Sequence, residues 1–403
     1  MPYYLKQLIY WPVHITSTIM PKKDNIWVFS AWVGKSYADN PKYLYEYVIN
    51  NQPHIQAFWI TSDLSVYKKL NNEGKPCLYT YSLLGFITQI RAGVAIFSHS
   101  QSSEFMPAII NGKTKTIQLW HGTPLKKIGA HVKNTFNKKH PLLSRFRNII
   151  YPWMLRENYD LTTSASSEVS SKLIEAFKSK KVAITGYPRN DALKVGSITS
   201  GGLRLEKIIY MPTFRGKVTS ESSNTSTSNI IIDSLIQEND VIGKWFSSRN
   251  IKLVLKLHPS NYPTSELIEK IKSYDWLELY TGADDIYQSI SDFDLLITDY
   301  SSIFFDYLLT GKPIIHAAFD LDSYLKSSRE TYYKYEDIAL TPNISSWKDI
   351  ISFIDRALDY GLEKNYVSDY RALNNRFNRY KDNTSSLRVY NEIMTILCKN
   401  HIH

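Results

Sequence analysis

Two histidines, an arginine and a pair of serines stand where apolar runs of this chain end, and their types suit the handling of a phosphate. Thr298-Asp299-Tyr300-Ser301-Ser302 follows the strand-like run Asp292–Ile297 and precedes Ile303–Leu309, which reads as the opening turns of a packed helix. Ser301 or Ser302 then caps that helix, whose unpaired N–H groups and positive dipole end favour a phosphate or a carboxylate. Gln118-Leu119-Trp120-His121-Gly122-Thr123-Pro124-Leu125-Lys126-Lys127 sets His121 at a strand end, with Gly122 allowing close backbone approach. With an unperturbed pKa of about 6.5, an imidazole there can take a proton from an alcohol at neutral pH. Lys256-Leu257-His258-Pro259 repeats the arrangement later in the chain, and Pro212-Thr213-Phe214-Arg215 adds a guanidinium beyond another strand end. Such a guanidinium grips phosphate through two parallel N–H donors. Taken singly, each has an ordinary structural reading: a serine cap, a strand-end histidine, a solvated arginine. Together, Arg215, His258 and Ser301-Ser302 put three phosphate-compatible ends on one sheet.

Other chemistries are poorly served. Metal-binding patterns such as His-Glu-x-x-His are missing, as are glycine-rich loops of the Walker or dinucleotide type. Cys77 and Cys398 are the only cysteines, far apart, so neither a disulfide framework nor a cysteine zinc site is expected and a reducing cytoplasm fits best.

The elements that must position these residues alternate. Strand-like runs cover Ile26–Ala31, Ala57–Thr61, Val94–Ser98, Thr116–Trp120, Leu161–Ser164 and Val182–Thr185, and a second set covers Ile208–Pro212, Lys252–Leu257, Leu277–Tyr280, Leu295–Thr298 and Pro313–Ala317. Helix-like stretches lie between them, which argues for α/β domains with parallel sheets. At 403 residues the chain is too long for one ordinary core. We divide it into residues 21–190 and 191–403, with the soft stretch Gly196–Gly202 as the expected hinge. The C-terminal helical material is assigned to the second domain. Val218–Asn229 is almost wholly polar and reads as a mobile surface loop, either a lid or a tolerated insertion.

A formal net charge of +10 implies anionic partners. No aromatic-plus-basic motif for nucleic acid accompanies it. Residues 1–20 lack signal-peptide features, and no uncharged run reaches the roughly 18 to 20 residues that span a bilayer. The mixture of Tyr3, Tyr4, Leu5, Leu8, Ile9, Tyr10, Trp11, Val13 and Ile15 with Lys6, Lys22 and Lys23 suits a membrane-interface helix, or else a helix covering a domain. Lys133, Lys138, Lys139 and Arg145, interleaved with Phe136, Leu142 and Phe146, suit anionic lipid or a polyanionic acceptor.

Taken in order, Trp120–Lys126, Gly186-Tyr187-Pro188-Arg189-Asn190-Asp191, Pro212–Arg215, His258-Pro259 and Thr298–Ser302 resemble the CDP-glycerol glycerophosphotransferase family of teichoic-acid and capsule synthesis. The likeness begins near Pro21, takes in Val28-Phe29-Ser30 and Lys35–Pro41, and runs past Phe319-Asp320 and Tyr324. It implies a GT-B-like architecture of two Rossmann-like domains facing across a cleft, the first on the acceptor side and the second binding the nucleotide donor. It also implies metal-independent transfer of glycerol phosphate from CDP-glycerol, without a cofactor, to a lipid-linked saccharide or polyol-phosphate polymer. A peripheral enzyme at the cytoplasmic face of the membrane would do this.

Carried over by residue, His121 resembles the family's general base and His258 the histidine that contacts the pyrophosphate. Gly122, Thr213, Arg215, Lys256, Ser301 and Ser302 would line the phosphates, with Asp299 and Asp306 orienting this shell or touching donor hydroxyls. Lys126 joins Lys133, Lys138, Lys139 and Arg145 on the acceptor and membrane side. Large polymerases of the family often carry extra modules, whereas this chain is little more than the catalytic core, so a primase-like enzyme fits as well as a polymerase. The alternatives are a CDP-ribitol transferase, a GT-B glycosyltransferase using a nucleotide sugar, and a non-catalytic basic protein.

Overall fold

The computed structural model describes residues 7–111, 113–132, 149–154, 158–213, 235–238, 240–257, 263–282, 285–321 and 330–399. The chain forms two compact units: residues 1–123, 127–192 and 377–403 make the first, and residues 124–126 and 193–376 the second.

The first unit is built on seven strands: β1 Lys23–Phe29, β2 Gln56–Thr61, β3 Cys77–Tyr79, β4 Ala92–Phe97, β5 Lys115–Gln118, β6 Leu161–Ser164 and β7 Val182–Ile184. They lie in the order β3-β2-β1-β4-β5-β6-β7. All pairings are parallel, with Trp27 opposite Ala57 on one side and Val94 on the other. Six of these strands coincide with expected runs; β3, three residues at the edge, was not expected. Both faces of a parallel sheet must be covered, which is why β4 reads Ala-Gly-Val-Ala-Ile-Phe with every residue buried. Local signals set the covering helices. Asp63 caps helix Leu64–Asn72 by accepting from the N–H groups of Ser65 (2.8 Å) and Val66 (3.1 Å), and Ser82 caps Leu83–Arg91 through Gly85 N–H at 3.0 Å.

Among the described residues the second unit has five parallel strands: β8 Lys207–Met211, β9 Lys252–Leu255, β10 Leu277–Leu279, β11 Leu295–Thr298 and β12 Ile314–His316. Their order is β10-β9-β8-β11-β12, with Ile208 opposite Leu253 and Leu295. Every expected run of the second set is a strand. Its core joins Ile208, Phe246, Leu253, Trp276, Leu295 and Ile315 to Trp347, Ile350 and Ile354 of helix Trp347–Tyr360.

Two boundary expectations need correction. The last helix, Ser385–Lys399, belongs to the first unit and not to the second: Val389, Ile393 and Leu397 are buried with Trp27, Phe29, Tyr45 and Trp59. Its N-terminus is held there by Asp191, which accepts from Ser385 N–H and Ser386 N–H at 2.8 Å each. The stretch from Gly196 is not a hinge. Gly196 N–H donates to Leu309 C=O at 2.9 Å, and a Cβ on Gly196 would lie 2.4 Å from Thr310 O, so this segment is pinned inside the second unit. The polar loop Val218–Asn229 lies outside the described residues.

Candidate active site

In an open α/β sheet the strand order reverses at a switch point, and ligands bind beyond the carboxyl ends of the strands there. The first unit reverses between β1 and β4. Trp32 follows β1, His99 follows β4 and His121 follows the neighbouring β5, so three rings converge. His99 stacks on His121 with centroids 4.6 Å apart and planes at 21°, while Trp32 stands 4.9 Å from His99 and 5.9 Å from His121. His121 is half-buried, and its Nδ1 faces the Ser98 carbonyl at 3.5 Å.

The turn carrying His121 is held from beneath. Trp120 and Gly122 have φ of +55° and +118°. Gly122 is required twice over, since a Cβ there would also lie 2.2 Å from Arg189 Nη2. Arg189 Nη1 donates to the His121 carbonyl and to Asp39 Oδ1, both at 2.9 Å, in an ion pair that is about 95% buried on each side. Asn40 Nδ2 donates to the Trp120 carbonyl at 2.8 Å, and Asn40 Oδ1 accepts from Arg189 N–H at 3.1 Å. Asp39-Asn40 and Arg189 therefore fix the backbone of the Trp120-His121-Gly122 turn. Sequence reasoning used these motifs only for the family likeness and did not place them in the site.

A second network surrounds Glu104, whose side chain is fully buried. Its Oε2 accepts from Ser98 N–H at 3.1 Å, and its Oε1 from Ser98 Oγ at 3.0 Å and His99 N–H at 2.8 Å. Oε1 also lies 3.2 Å from His99 Nδ1. Burial raises the carboxyl pKa while these donors act to lower it. Neither His99 nor Glu104 was singled out from sequence.

In the second unit the switch point falls between β8 and β11. There Asp299, 1% exposed, accepts from Thr213 N–H (2.8 Å to Oδ1), Thr213 Oγ1 (2.5 Å) and Tyr300 N–H (2.6 Å). Its carboxylate thus ties the end of β8 to that of β11. Ser301 and Ser302 are half-buried in the same turn. Ser302 is the N-terminal flanking residue of helix Ile303–Tyr307, but its hydroxyl makes no capping bond, because its own backbone is already helical at φ −68° and ψ −5°. Lys256 follows β9 directly, with its ammonium 5.6 Å from the centre of the Tyr280 ring. Asp306 is buried and accepts from Tyr287 OH at 2.7 Å.

Thr213, Lys256, Asp299, Ser301 and Ser302 are therefore brought to the ends of adjacent strands, with Asp306 behind them. Lys126 differs from expectation: residues 124–126 belong to the second unit, where Lys126 bridges Thr331 and Leu125 C=O accepts from Tyr332 N–H at 2.9 Å. Arg215, His258, Lys133, Lys138, Lys139 and Arg145 lie outside the described residues. Among the described residues no group of three or more His, Cys, Asp or Glu could hold a metal ion.

Two Rossmann-like units, each with polar groups gathered at its own switch point, place the chain in the GT-B-like class. The chain belongs to the CDP-glycerol:poly(glycerophosphate) glycerophosphotransferase family, which it matches over residues 13–395. It is 25% identical over 396 residues to the teichoic acid poly(glycerol phosphate) polymerase of Bacillus spizizenii, covering 93% of each chain. To the teichoic acid glycerol-phosphate transferase of Staphylococcus aureus it is 27% identical over 408 residues, covering 96% of this chain and 97% of that one. In fold it matches a solved structure of the wall teichoic acid polymerase TagF, with a TM-score of 0.71 at 19% identity over 98% of this chain and 97% of the other.

Proposed function

We propose that the protein transfers glycerol phosphate from CDP-glycerol to a hydroxyl of a lipid-linked saccharide or of a growing teichoic-acid or capsule-type polymer, releasing CMP. The observation that carries this reading is His121, an imidazole held at a switch point by a buried scaffold, in a chain of this family. The acceptor oxygen attacks the β-phosphorus. The bond from that phosphorus to the bridging oxygen breaks, CMP leaves with the oxygen, and the acceptor proton passes to His121 Nε2. A proton on Nδ1, which faces the Ser98 carbonyl at 3.5 Å, leaves Nε2 as the basic nitrogen. Thr213, Lys256, Ser301 and Ser302, with Arg215 and His258, hold the diphosphate and offset the charge that develops on it. Asp299 and Asp306 orient this shell through Thr213 and Tyr287.

The test is CMP release by the purified protein from CDP-glycerol or CDP-ribitol, with and without a membrane extract or lipid-linked saccharide, in EDTA. Acceptor-dependent CMP from CDP-glycerol, undiminished by EDTA and well above that from CDP-ribitol, is the expected result. Folded protein that releases nothing from CDP-glycerol but turns over a UDP- or CMP-sugar would overturn the reading.

The same reading places the protein peripherally at the cytoplasmic face of the membrane. No helix among the described residues is long and apolar enough to cross a bilayer. Helix Trp11–Ile19 packs Trp11 and Val13 against Tyr151 and Trp153, yet leaves Ile15 and Ile19 50% and 73% exposed. It lies beside helix Leu83–Arg91, whose Leu83 and Leu84 are 77% and 59% exposed. Exposed apolar side chains on two neighbouring helices suit a membrane or protein contact. Exchanging Ile19 and Leu83 for aspartate is expected to weaken flotation with anionic vesicles by roughly ten- to a hundredfold per residue, from about 1.5–3 kcal/mol for each buried side chain. Unchanged flotation of the double variant would sink this placement.

A further inference from the structure

We propose that Glu104, acting through His99, is a positioning residue for His121: it fixes the ring against which His121 stacks and the carbonyl that His121 Nδ1 faces, and so keeps His121 oriented. The inference rests on His121 being the base.

The geometry forms a relay of three groups. Glu104 is the only buried carboxylate in the β4 end loop, and its two oxygens gather the Ser98 N–H, the Ser98 hydroxyl and the His99 N–H. Those contacts set the backbone of Ser98, whose C=O lies opposite His121 Nδ1. The carboxylate also lies 3.2 Å from His99 Nδ1, and the Ser98 hydroxyl 2.9 Å from it, which together lock the plane of the His99 ring. That plane is the one on which His121 rests, 4.6 Å away and 21° from parallel.

Arg189, from residues 188–192, and Asp39, from helix Asp39–Asn51, form an ion pair that holds the same turn through its backbone. A purely structural role for Glu104 would need no imidazole in the path, since the backbone N–H groups and the serine hydroxyl already satisfy both oxygens.

The test compares the full chain with Glu104→Gln, using CMP release from CDP-glycerol with a membrane extract as acceptor, across pH. Ring nitrogens of 15N-histidine-labelled protein are followed in parallel, with the His121 signals assigned by their loss in His121→Asn. Glu104→Gln is expected to lower kcat by about tenfold or more with KM for CDP-glycerol little changed. Glu104→Asp should recover part of the loss, and the His121 ring-nitrogen signals should be displaced in Glu104→Gln. A folded Glu104→Gln protein whose kcat stays within threefold of the parent, or whose His121 signals stay in place, overturns the proposal. If Glu104→Gln does not fold, His99→Phe carries the same test, because it keeps an aromatic face and removes Nδ1. Displaced His121 ring-nitrogen signals together with a lowered kcat support the proposal, and either one unchanged overturns it. Retention of full rate by His121→Asn would instead remove the base reading itself and this proposal with it, an outcome recognisable without any Glu104 variant.

Discussion

His121→Asn is expected to lower the rate of CMP release by about 10²–10⁴, the range that a positioned general base contributes, while leaving the affinity for CDP-glycerol close to unchanged. The split follows from where the ring sits. His121 belongs to the first unit, and the groups proposed to hold the diphosphate belong to the second. Removal of the imidazole should therefore be felt in kcat and hardly in KM. The fold should survive the exchange. The turn is held through the carbonyls of Trp120 and His121 by Asn40 and Arg189, bonds that the asparagine variant keeps. The ring is only half-buried, so its loss opens no closed cavity. Thermal melts matching the parent, with a rate within threefold of it, would remove His121 from the mechanism.

Arg189→Ala is expected to cost more than activity. It strips the partner from an Asp39 carboxylate that is 3% exposed, and leaving one member of a buried ion pair uncompensated typically costs about 3–5 kcal/mol. It also deletes the donors to the His121 carbonyl, so the turn loses its anchor. The double variant Arg189→Ala, Asp39→Ala removes the stranded charge and should recover part of the stability in urea melts without recovering CMP release. Such a cycle separates the energetic role of the pair from its role in placing His121. A double variant as unstable as Arg189→Ala alone would show that the ion pair is not the source of the loss.

Most of the architecture is legible in the order of the amino acids, because parallel strands buried on both faces write themselves as short apolar runs. β8 to β12 and six of the first seven strands stand where such runs stand. β3, Cys77-Leu78-Tyr79, escaped although the equally short edge strands β7, β10 and β12 did not, and nothing in its three residues marks it out. Helix Ser385–Lys399 is plainly amphipathic in sequence, but amphipathicity does not say which sheet the apolar face will cover.

The site divides in the same way. His121 and the Asp299–Ser302 turn announce themselves as polar residues at the end of apolar strands. Glu104 does not, since Ser98-His99-Ser100-Gln101-Ser102-Ser103-Glu104 looks like a solvated loop. Only the folded chain turns that glutamate inward onto the N–H groups at the end of β4. The one usable hint was its place after an uninterrupted apolar strand, at a strand end next to that of His121. Arg189 and Asp39 are remote in the chain, and no local pattern joins them.

The return of the final helix to the first sheet has a consequence for biosynthesis. Trp27 and Phe29 are made before the second unit, yet the residues that cover them, Val389, Ile393 and Leu397, are made only after it. At about 5–20 residues per second, the stretch of the chain between residues 192 and 389 takes roughly 10 to 40 s to synthesise. Throughout that interval the nascent sheet displays an apolar face with its lid still unwritten, a natural substrate for chaperones. The first unit is completed only once the second has been made, and a premature stop anywhere ahead of Val389 would leave its sheet uncovered.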